Sequence, residues 1–200
     1  MHVGKNLLEF RPGMSLMVPM IVESLQKSIW REATRGHLDK HLRYGLWYSN
    51  LIRKIGIDAR RYFFKPILKN FGGNLKMIVS GAAPLNPVVA KEMSDMGITV
   101  YNGYGITECA PLISANCPRL NVPGSVGIPI PGIEIRIVEP DSEGNGEIQV
   151  RGDNVMLGYY NDSVATEQTF TADGWFKTGD LGHIGRREAL FVTGRKKNLI

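Results

Sequence analysis

The octapeptide YNGYGITE concentrates several groups that could contact a phosphorylated, aromatic ligand. Gly103 and Gly105 flank Tyr104, although glycine in a strand loses much backbone entropy and adds no side chain to a core. The two glycines therefore indicate that another group closely approaches this backbone. The ring of Tyr104 could stack on a base, the hydroxyl of Thr107 could contact a phosphate oxygen, and the carboxylate of Glu108 suits Mg²⁺. A glycine-rich turn before a capped helix is the structural alternative.

Three other segments carry small or charged residues in patterns that suit the same ligand. In SGAAPL, Gly81, Ala82 and Ala83 would let a flat ligand lie against the main chain, although an ordinary strand-to-helix turn has the same composition. In DGWFKTGDLG, a buried Asp180 could accept both hydroxyls of a ribose, whereas an exposed one would be a cap or an Asx-turn. GRKKNLI ends a predicted strand in a basic run at Arg195, for which a solvated charge run is the usual alternative.

A strand–helix–strand unit is predicted to position the first two segments. LKMIVS is typical of a short apolar strand, NPVVAKEMSDMG of a helix capped by Asn86, and ITVYN of the next strand. Such units are parallel and right-handed, and ligands gather beyond the carboxyl ends of their strands. SGAAPL and GYGITE each follow a strand, so we expect them at one edge of a sheet.

The residue composition and the hydrophobic pattern change along the rest of the chain. Residues 15–71 are rich in helix formers, whereas short strands with Gly and Pro turns follow from Pro118. The second pattern favours a small antiparallel barrel or meander, with one short helix in NDSVATEQTF. We therefore predict an α/β fold in which a partial parallel sheet with helices is followed by a small antiparallel β-rich lobe.

The four segments, in this order, resemble one family. The chain resembles the AMP-forming adenylating enzymes, a superfamily that includes acyl-CoA synthetases, luciferases and peptide-synthetase adenylation domains, and the match is most specific from residue 74 onward. The resemblance implies that Gly81, Ala82 and Ala83 line an adenine pocket and that Asn102, Gly103 and Tyr104 contact the base. It also implies a phosphate contact at Thr107 and ribose contacts at Asp180, Val192 and Arg195.

The resemblance also implies the groups that act on the reacting atoms. Thr107, Glu108 and Arg195 match the family's catalytic positions, and Glu108 matches the glutamate associated with Mg²⁺. Cys109 and Ala110 would lie near the carboxyl end of the acyl substrate. Neither of them could pair with an ammonium group, which argues against an amino-acid substrate.

Within the superfamily, GRKKNLI, NVMLGYY and the basic region before SGAAPL are most similar to bacterial long-chain fatty acyl-CoA synthetases. The implied reaction has two steps. The fatty acid carboxylate attacks the α-phosphate of ATP to give acyl-AMP and pyrophosphate, and coenzyme A thiolate then displaces AMP. The implied substrates and cofactors are a fatty acid, ATP, Mg²⁺ and coenzyme A, and a ligase acting on a carrier-protein thiol stays open.

The sequence further predicts an internal piece of such an enzyme, inactive by itself. The family's Ser/Thr/Gly-rich phosphate loop does not occur in the sequence, and Lys197 falls at the family's hinge. We expect residues 1–117 to form a helical region with part of the nucleotide-binding α/β subdomain. Residues 118–193 would form a β-rich barrel-like subdomain, and residues 194–200 would begin the hinge to a C-terminal domain.

Charge and composition raise two further hypotheses. The chain has a net charge of +5, and residues 31–69 contain ten Lys or Arg against three acids. That segment could bind nucleic acid through Trp47, Tyr48, Tyr62 and Phe63, or contact a membrane surface. Aromatic residues at helical spacing are more often core, so no nucleic acid is expected. Two cysteines cannot form a disulfide framework, and a cytoplasmic location with peripheral membrane contact is the prediction.

Overall fold

The chain divides within one strand into two units, Met1–Tyr101 and Asn102–Ile200. The structure is a computed structural model, and it describes residues 3–198. Each unit contains an apolar cluster of its own, formed in each case by side chains of that unit alone.

The first unit is an α/β unit, which confirms the predicted fold class. Its elements, in chain order, are α1 (Val3–Phe10), β1 (Met14–Met17), α2 (Pro19–Arg35), α3 (Asp39–Arg53), α4 (Arg60–Phe63), α5 (Lys65–Lys69), β2 (Met77–Ser80), α6 (Pro87–Asp95) and the start of β3 (Thr99–Gly105). Strands β1 and β2 pair in parallel, from Met14 opposite Met77 to Met17 opposite Ser80.

The predicted strand–helix–strand unit corresponds to β2, α6 and β3. The Asn86 side chain caps α6 by accepting a hydrogen bond from the Val88 N–H at 2.9 Å, and proline occupies the first turn. Thr99, at the start of β3, donates its N–H to the Lys76 carbonyl at 2.9 Å. The three elements and the cap are therefore confirmed.

The segment that is rich in helix formers begins with a strand. Residues 14–17 form β1, and α2 begins at Pro19. Val18 is extended, and the fixed φ of Pro19 suits the first turn of a helix. From there Val22, Leu25 and Ile29 form the buried stripe of α2. Among the described helices, none is long and apolar enough to cross a membrane.

The second unit is built from antiparallel strands. Strand β3 pairs with β4 (Leu112–Ala115), and β4 pairs with β5 (Ile128–Pro129). A separate antiparallel sheet has the order β6 (Ile133–Val138), β7 (Gly146–Gly152), β8 (Phe176–Ile184) and β9 (Leu190–Arg195). Helix α7 (Ser163–Thr169) begins after Asp162, which caps it through the Ala165 N–H at 2.9 Å. Neighbours in this sheet are consecutive in sequence, so the predicted antiparallel lobe is a meander.

Candidate functional site

A buried carboxylate joins two of the predicted segments in the second unit. Asp180, on β8, is only 9% exposed. The Tyr104 hydroxyl, on β3, donates a hydrogen bond of 2.7 Å to Asp180 Oδ2. Arg195 lies opposite Asp180 in the pairing of β8 with β9, and its Nε is 3.4 Å from Asp180 Oδ1. Three residues predicted for base and ribose binding therefore lie together.

The electrostatics of this group fix the Tyr104 hydroxyl as a donor. Burial raises the pKa of Tyr104 well above its ordinary value, and the nearby Asp180 charge raises this pKa further. A Thr178 hydrogen bond acts in the opposite direction. Each carboxylate oxygen can accept more than one hydrogen bond, so Asp180 keeps capacity for a ligand hydroxyl. The Arg195 side chain is 60% exposed and is accessible to an anion.

The turn after β3 separates exposed from buried side chains. Residues Thr107–Cys109 form a 3₁₀ turn that ends at Ala110, which adopts a left-handed conformation with φ 50°. Thr107 and Ala110 are exposed, whereas Cys109 is fully buried in the apolar cluster of the second unit. Burial raises the pKa of the Cys109 thiol to about 11. Cys109 is thus an inert core residue beneath this turn.

A segment that the sequence analysis did not include in the site holds this turn in place. The Tyr159 hydroxyl donates to Glu108 Oε1 at 3.0 Å. The Asn154 side-chain amide donates to the carbonyls of Cys109 and Leu112, at 2.7 and 2.8 Å. Both residues belong to NVMLGYY, a segment that the sequence analysis used only as support for the family resemblance. The polar Asn and Tyr within this segment were the sequence signal that could have identified it as part of the site.

The donors at this turn fit a metal ion that a nucleotide brings with it. No group of three or more His, Cys, Asp or Glu side chains converges in the described part of the chain. Glu108 is half-buried and Thr107 is exposed beside it. Mg²⁺ commonly binds through one or two protein oxygens together with substrate phosphates and water, rather than in an all-protein cage. One carboxylate next to a hydroxyl is consistent with that arrangement.

The two glycines of the YNGYGITE segment have different neighbours. A Cβ on Gly105 would lie 1.8 Å from the Pro111 carbonyl oxygen, whereas one on Gly103 would lie 3.2 Å from Leu112 Cδ1. Neither glycine has a positive φ. The backbone that approaches Gly105 is therefore the chain's own following turn, and a ligand is not needed to explain this glycine.

The other residues of the second unit that were predicted to contact the nucleotide or form the hinge lie on β3, on β9 and in the turn after β9. The Asn102 amide nitrogen donates to the Ser125 carbonyl at 3.4 Å, and its Oδ1 is buried with no partner among residues 3–198. Val192, on β9, is half-buried against the apolar cluster. Lys197, predicted at the hinge, is exposed in a 3₁₀ turn after β9.

The loop predicted to line the adenine pocket belongs to the first unit. It follows β2 directly, with Gly81 half-buried and Ala82 and Ala83 exposed. Ala82 has φ 70°, a left-handed conformation that costs about 1–2 kcal/mol for a residue with a Cβ. Strain of this kind is often found at ligand sites, so the loop is a candidate ligand-binding loop.

Comparison with known proteins identifies the family. The model of the AMP-binding enzyme family matches residues 4–160. Long-chain-fatty-acid–CoA ligase 6 of Rattus norvegicus is 38% identical over 98% of this chain and 30% of its own length. Long-chain-fatty-acid–CoA ligase FadD15 of Mycobacterium bovis is 39% identical over 70% of this chain and 22% of its own length. The chain therefore spans less than a third of these relatives.

Solved structures agree with this assignment. One is a malonyl-CoA ligase in a ternary product complex with methylmalonyl-CoA and AMP. The matched region covers 97% of this chain and 36% of the malonyl-CoA ligase chain, with a TM-score of 0.68 and 26% identity. O-succinylbenzoate coenzyme A synthetase of Bacillus subtilis, in complex with ATP and magnesium ion, matches 70% of this chain and 31% of its own, with a TM-score of 0.58 and 32% identity. The chain belongs to the AMP-binding enzyme family.

Proposed function

We propose that the chain is part of an AMP-forming long-chain fatty acyl-CoA synthetase. The complete enzyme would convert a fatty acid, ATP and coenzyme A to acyl-CoA, AMP and pyrophosphate through acyl-AMP. The observation that carries the proposal is the 2.7 Å hydrogen bond from Tyr104 to the buried Asp180, because it joins the YNGYGITE and DGWFKTGDLG segments into one polar group. The two long-chain-fatty-acid–CoA ligases among the relatives support the acyl substrate class.

The nucleotide would be held by the groups around Asp180. The free acceptor capacity of this carboxylate suits the two ribose hydroxyls, and the exposed Arg195 guanidinium suits the ribose or a phosphate. Tyr104 would place its ring against the base. Supporting contacts are proposed at Gly81, Ala82 and Ala83 for the adenine, at Asn102 and Gly103 for the base, and at Val192 for the sugar.

The 3₁₀ turn after β3 would stabilise the negative charge of the phosphates. The exposed Thr107 hydroxyl can donate to a phosphate oxygen, and Glu108 can bind a Mg²⁺ that accompanies ATP. When bound, Mg²⁺ would neutralise part of the phosphate charge. With Arg195 nearby, these groups would orient the α-phosphate for attack by the fatty acid carboxylate, so catalysis would consist mainly of positioning and charge stabilisation.

The acyl end of the site would lie beside the same turn. Ala110 is exposed and Cys109 forms the apolar layer beneath it. Both are uncharged, which suits a carboxylic acid without an ammonium group. A ligase that transfers the acyl group to a carrier-protein thiol would use the same residues, and Lys197 is proposed as the hinge residue in either enzyme.

We also propose a cytoplasmic enzyme of fatty acid metabolism that contacts a membrane surface through residues 31–69. Tyr44, Trp47, Tyr48, Tyr62 and Phe63 form a chain of ring contacts on α3 and α4, with neighbouring centroids 5.7–6.4 Å apart. These residues are between 40% and 80% exposed. Exposed aromatic rings next to cations are favoured at the headgroup level of a membrane.

Not every basic residue of this segment is available to a partner. Arg35, Arg53 and Arg60 form ion pairs with acidic side chains. Arg61 donates to the backbone carbonyls of Leu75, before β2, and Gly97, before β3. The remaining ones are exposed and have no acidic partner within residues 3–198: Arg31, Lys40, Arg43, Lys54, Lys65 and Lys69. Flotation with phosphatidylserine vesicles, but not with phosphatidylcholine vesicles, is expected for the complete protein and should weaken in Trp47→Ala. Equal flotation with both vesicles, or preferential binding of random-sequence DNA, would contradict the membrane proposal.

The enzymatic proposal is tested with the complete protein in which this chain occurs. Palmitate-dependent exchange of pyrophosphate into ATP measures the first step, and a chain-length series from acetate to palmitate measures the substrate class. Each buried methylene contributes up to about 0.8 kcal/mol, so activity should rise with chain length. Glu108→Gln should reduce the exchange much more than it reduces AMP binding. No exchange with any fatty acid, or a maximum at acetate, would refute the proposal.

A further inference from the structure

Tyr159 is held firmly beside the Glu108 carboxylate. Its N–H donates to Thr166 Oγ1 at 2.9 Å, and that hydroxyl donates to the Asp162 carbonyl at 2.7 Å. Both partners belong to the start of α7. A Cβ on the preceding Gly158 would lie 2.7 Å from Thr166 Cγ2, so the backbone packs closely on the helix. The phenol therefore projects from a fixed backbone.

The same segment also fixes the backbone on which Glu108 stands. The Met156 N–H donates to the Glu108 carbonyl at 2.7 Å. The Asn154 amide holds the carbonyls of Cys109 and Leu112 on the other side of the turn. The backbone of Glu108 and its carboxylate are consequently both bonded to residues 154–159.

The hydrogen bond to Tyr159 leaves the carboxylate free to bind a cation. The phenol donates to Oε1 at 3.0 Å, and within residues 3–198 Oε2 and the second lone pair of Oε1 remain available. Hydrogen bonds to a ligating carboxylate orient it, and the loss of such a bond commonly reduces metal affinity or activity by a factor of about 10–100. Without the phenol, the glutamate would be free to change rotamer.

We propose that Tyr159 is a positioning residue that orients Glu108 toward the metal–nucleotide complex. This inference rests on the proposed function. It predicts that the Tyr159 hydroxyl matters for Mg·ATP, whose phosphates carry the metal, and has little effect on AMP, which needs no metal to bind at the base and ribose contacts.

The test compares Tyr159→Phe with Tyr160→Phe in the complete protein. Tyr160 is the matched control, since it is the adjacent tyrosine and is 94% exposed. Calorimetric titration is expected to show Mg·ATP binding weakened roughly tenfold by Tyr159→Phe, with AMP binding changed by less than about twofold. In steady-state assays the KM for Mg·ATP should rise more than kcat falls. Tyr160→Phe should match the wild type in each measurement.

A second comparison places Tyr159→Phe in the Glu108→Gln background. If the phenol acts through the carboxylate, it should have less than about a twofold further effect on Mg·ATP affinity there. An equal loss of Mg·ATP and AMP binding, an undiminished effect in the Gln background, or no effect at all would overturn the inference. A wild-type protein that shows no fatty-acid-dependent exchange would instead refute the proposed function.

Discussion

Gly105→Ala tests whether the tight turn after β3 is set by the chain's own packing. The added Cβ would lie 1.8 Å from the Pro111 carbonyl oxygen, 2.7 Å from its carbon and 2.9 Å from Leu112 Cα. All three are backbone atoms, so no side chain can rotate to relieve the overlap. The φ of Gly105 is not positive, and an alanine could adopt this backbone conformation without strain. The expected effect is therefore steric alone.

The size of the effect follows from these distances. An ordinary contact of a Cβ is at least 3.4 Å long, so the Pro111 carbonyl oxygen would have to move by about 1.6 Å. Overpacking of this kind costs about 1–3 kcal/mol, and a backbone clash belongs at the upper end. The reduced entropy of the unfolded chain offsets about 0.4–1 kcal/mol. We expect the β3–β4 pairing to lose at least about 2 kcal/mol, which corresponds to roughly thirtyfold faster exchange of its amide protons.

Native-state hydrogen exchange on the complete protein, resolved to peptides covering β3 and β4, measures this local loss. Gly103→Ala is the matched control on the same strand, because its Cβ would approach most closely the flexible end of Leu112, at 3.2 Å, and would lie at an ordinary contact distance of 3.6 Å from the Ser114 carbonyl oxygen. It should change exchange by less than about threefold, or roughly 0.6 kcal/mol. Normal protection in Gly105→Ala, or equal damage from both substitutions, would refute the packing explanation.

Four further predictions concern the second unit. Tyr104→Phe removes the hydroxyl that donates to the buried Asp180, so local stability should fall by about 1.5–3 kcal/mol and AMP should bind more weakly, measured by hydrogen exchange and calorimetry; unchanged values would contradict the contact. Iodoacetamide at pH 8 should alkylate the half-buried Cys117 well before Cys109, as peptide mapping would show. Burial raises the pKa of Cys109 to about 11 from 9.0. The contribution of this thiol to stability should therefore be present below pH 9 and be lost as pH rises toward 11. Cys109→Ala should abolish this pH dependence. Trp175→Leu removes two arginine contacts, 4.4 and 4.7 Å from the ring centroid, and should lower stability in thermal denaturation by about 1–2 kcal/mol; a loss smaller than that of an exposed control such as Tyr160→Leu would contradict it.

Local signals predicted much of the architecture. The cap at Asn86, the βαβ unit around it and the antiparallel lobe after Pro118 all follow from preferences that act within a few residues. Composition did not reveal β1, since residues 15–71 are rich in helix formers but residues 14–17 form a strand and α2 begins at Pro19. The sequence also identified YNGYGITE and DGWFKTGDLG as segments of interest, the first because its glycines do not suit a packed strand and the second because a buried Asp180 could accept ribose hydroxyls.

Which residues contact one another was decided only by the tertiary structure. Tyr104 and Asp180 are 76 residues apart in sequence, and Tyr159 and Glu108 are 51 apart. Both contacts depend on the registers and turns of several strands, which no short pattern encodes. Packing likewise explains Gly105 by a neighbouring carbonyl. The sequence by itself determined which chemical groups are present and in which kind of element they lie, whereas the close packing of distant strands determined their partners, because burial and hydrogen-bond geometry arise only when those strands meet.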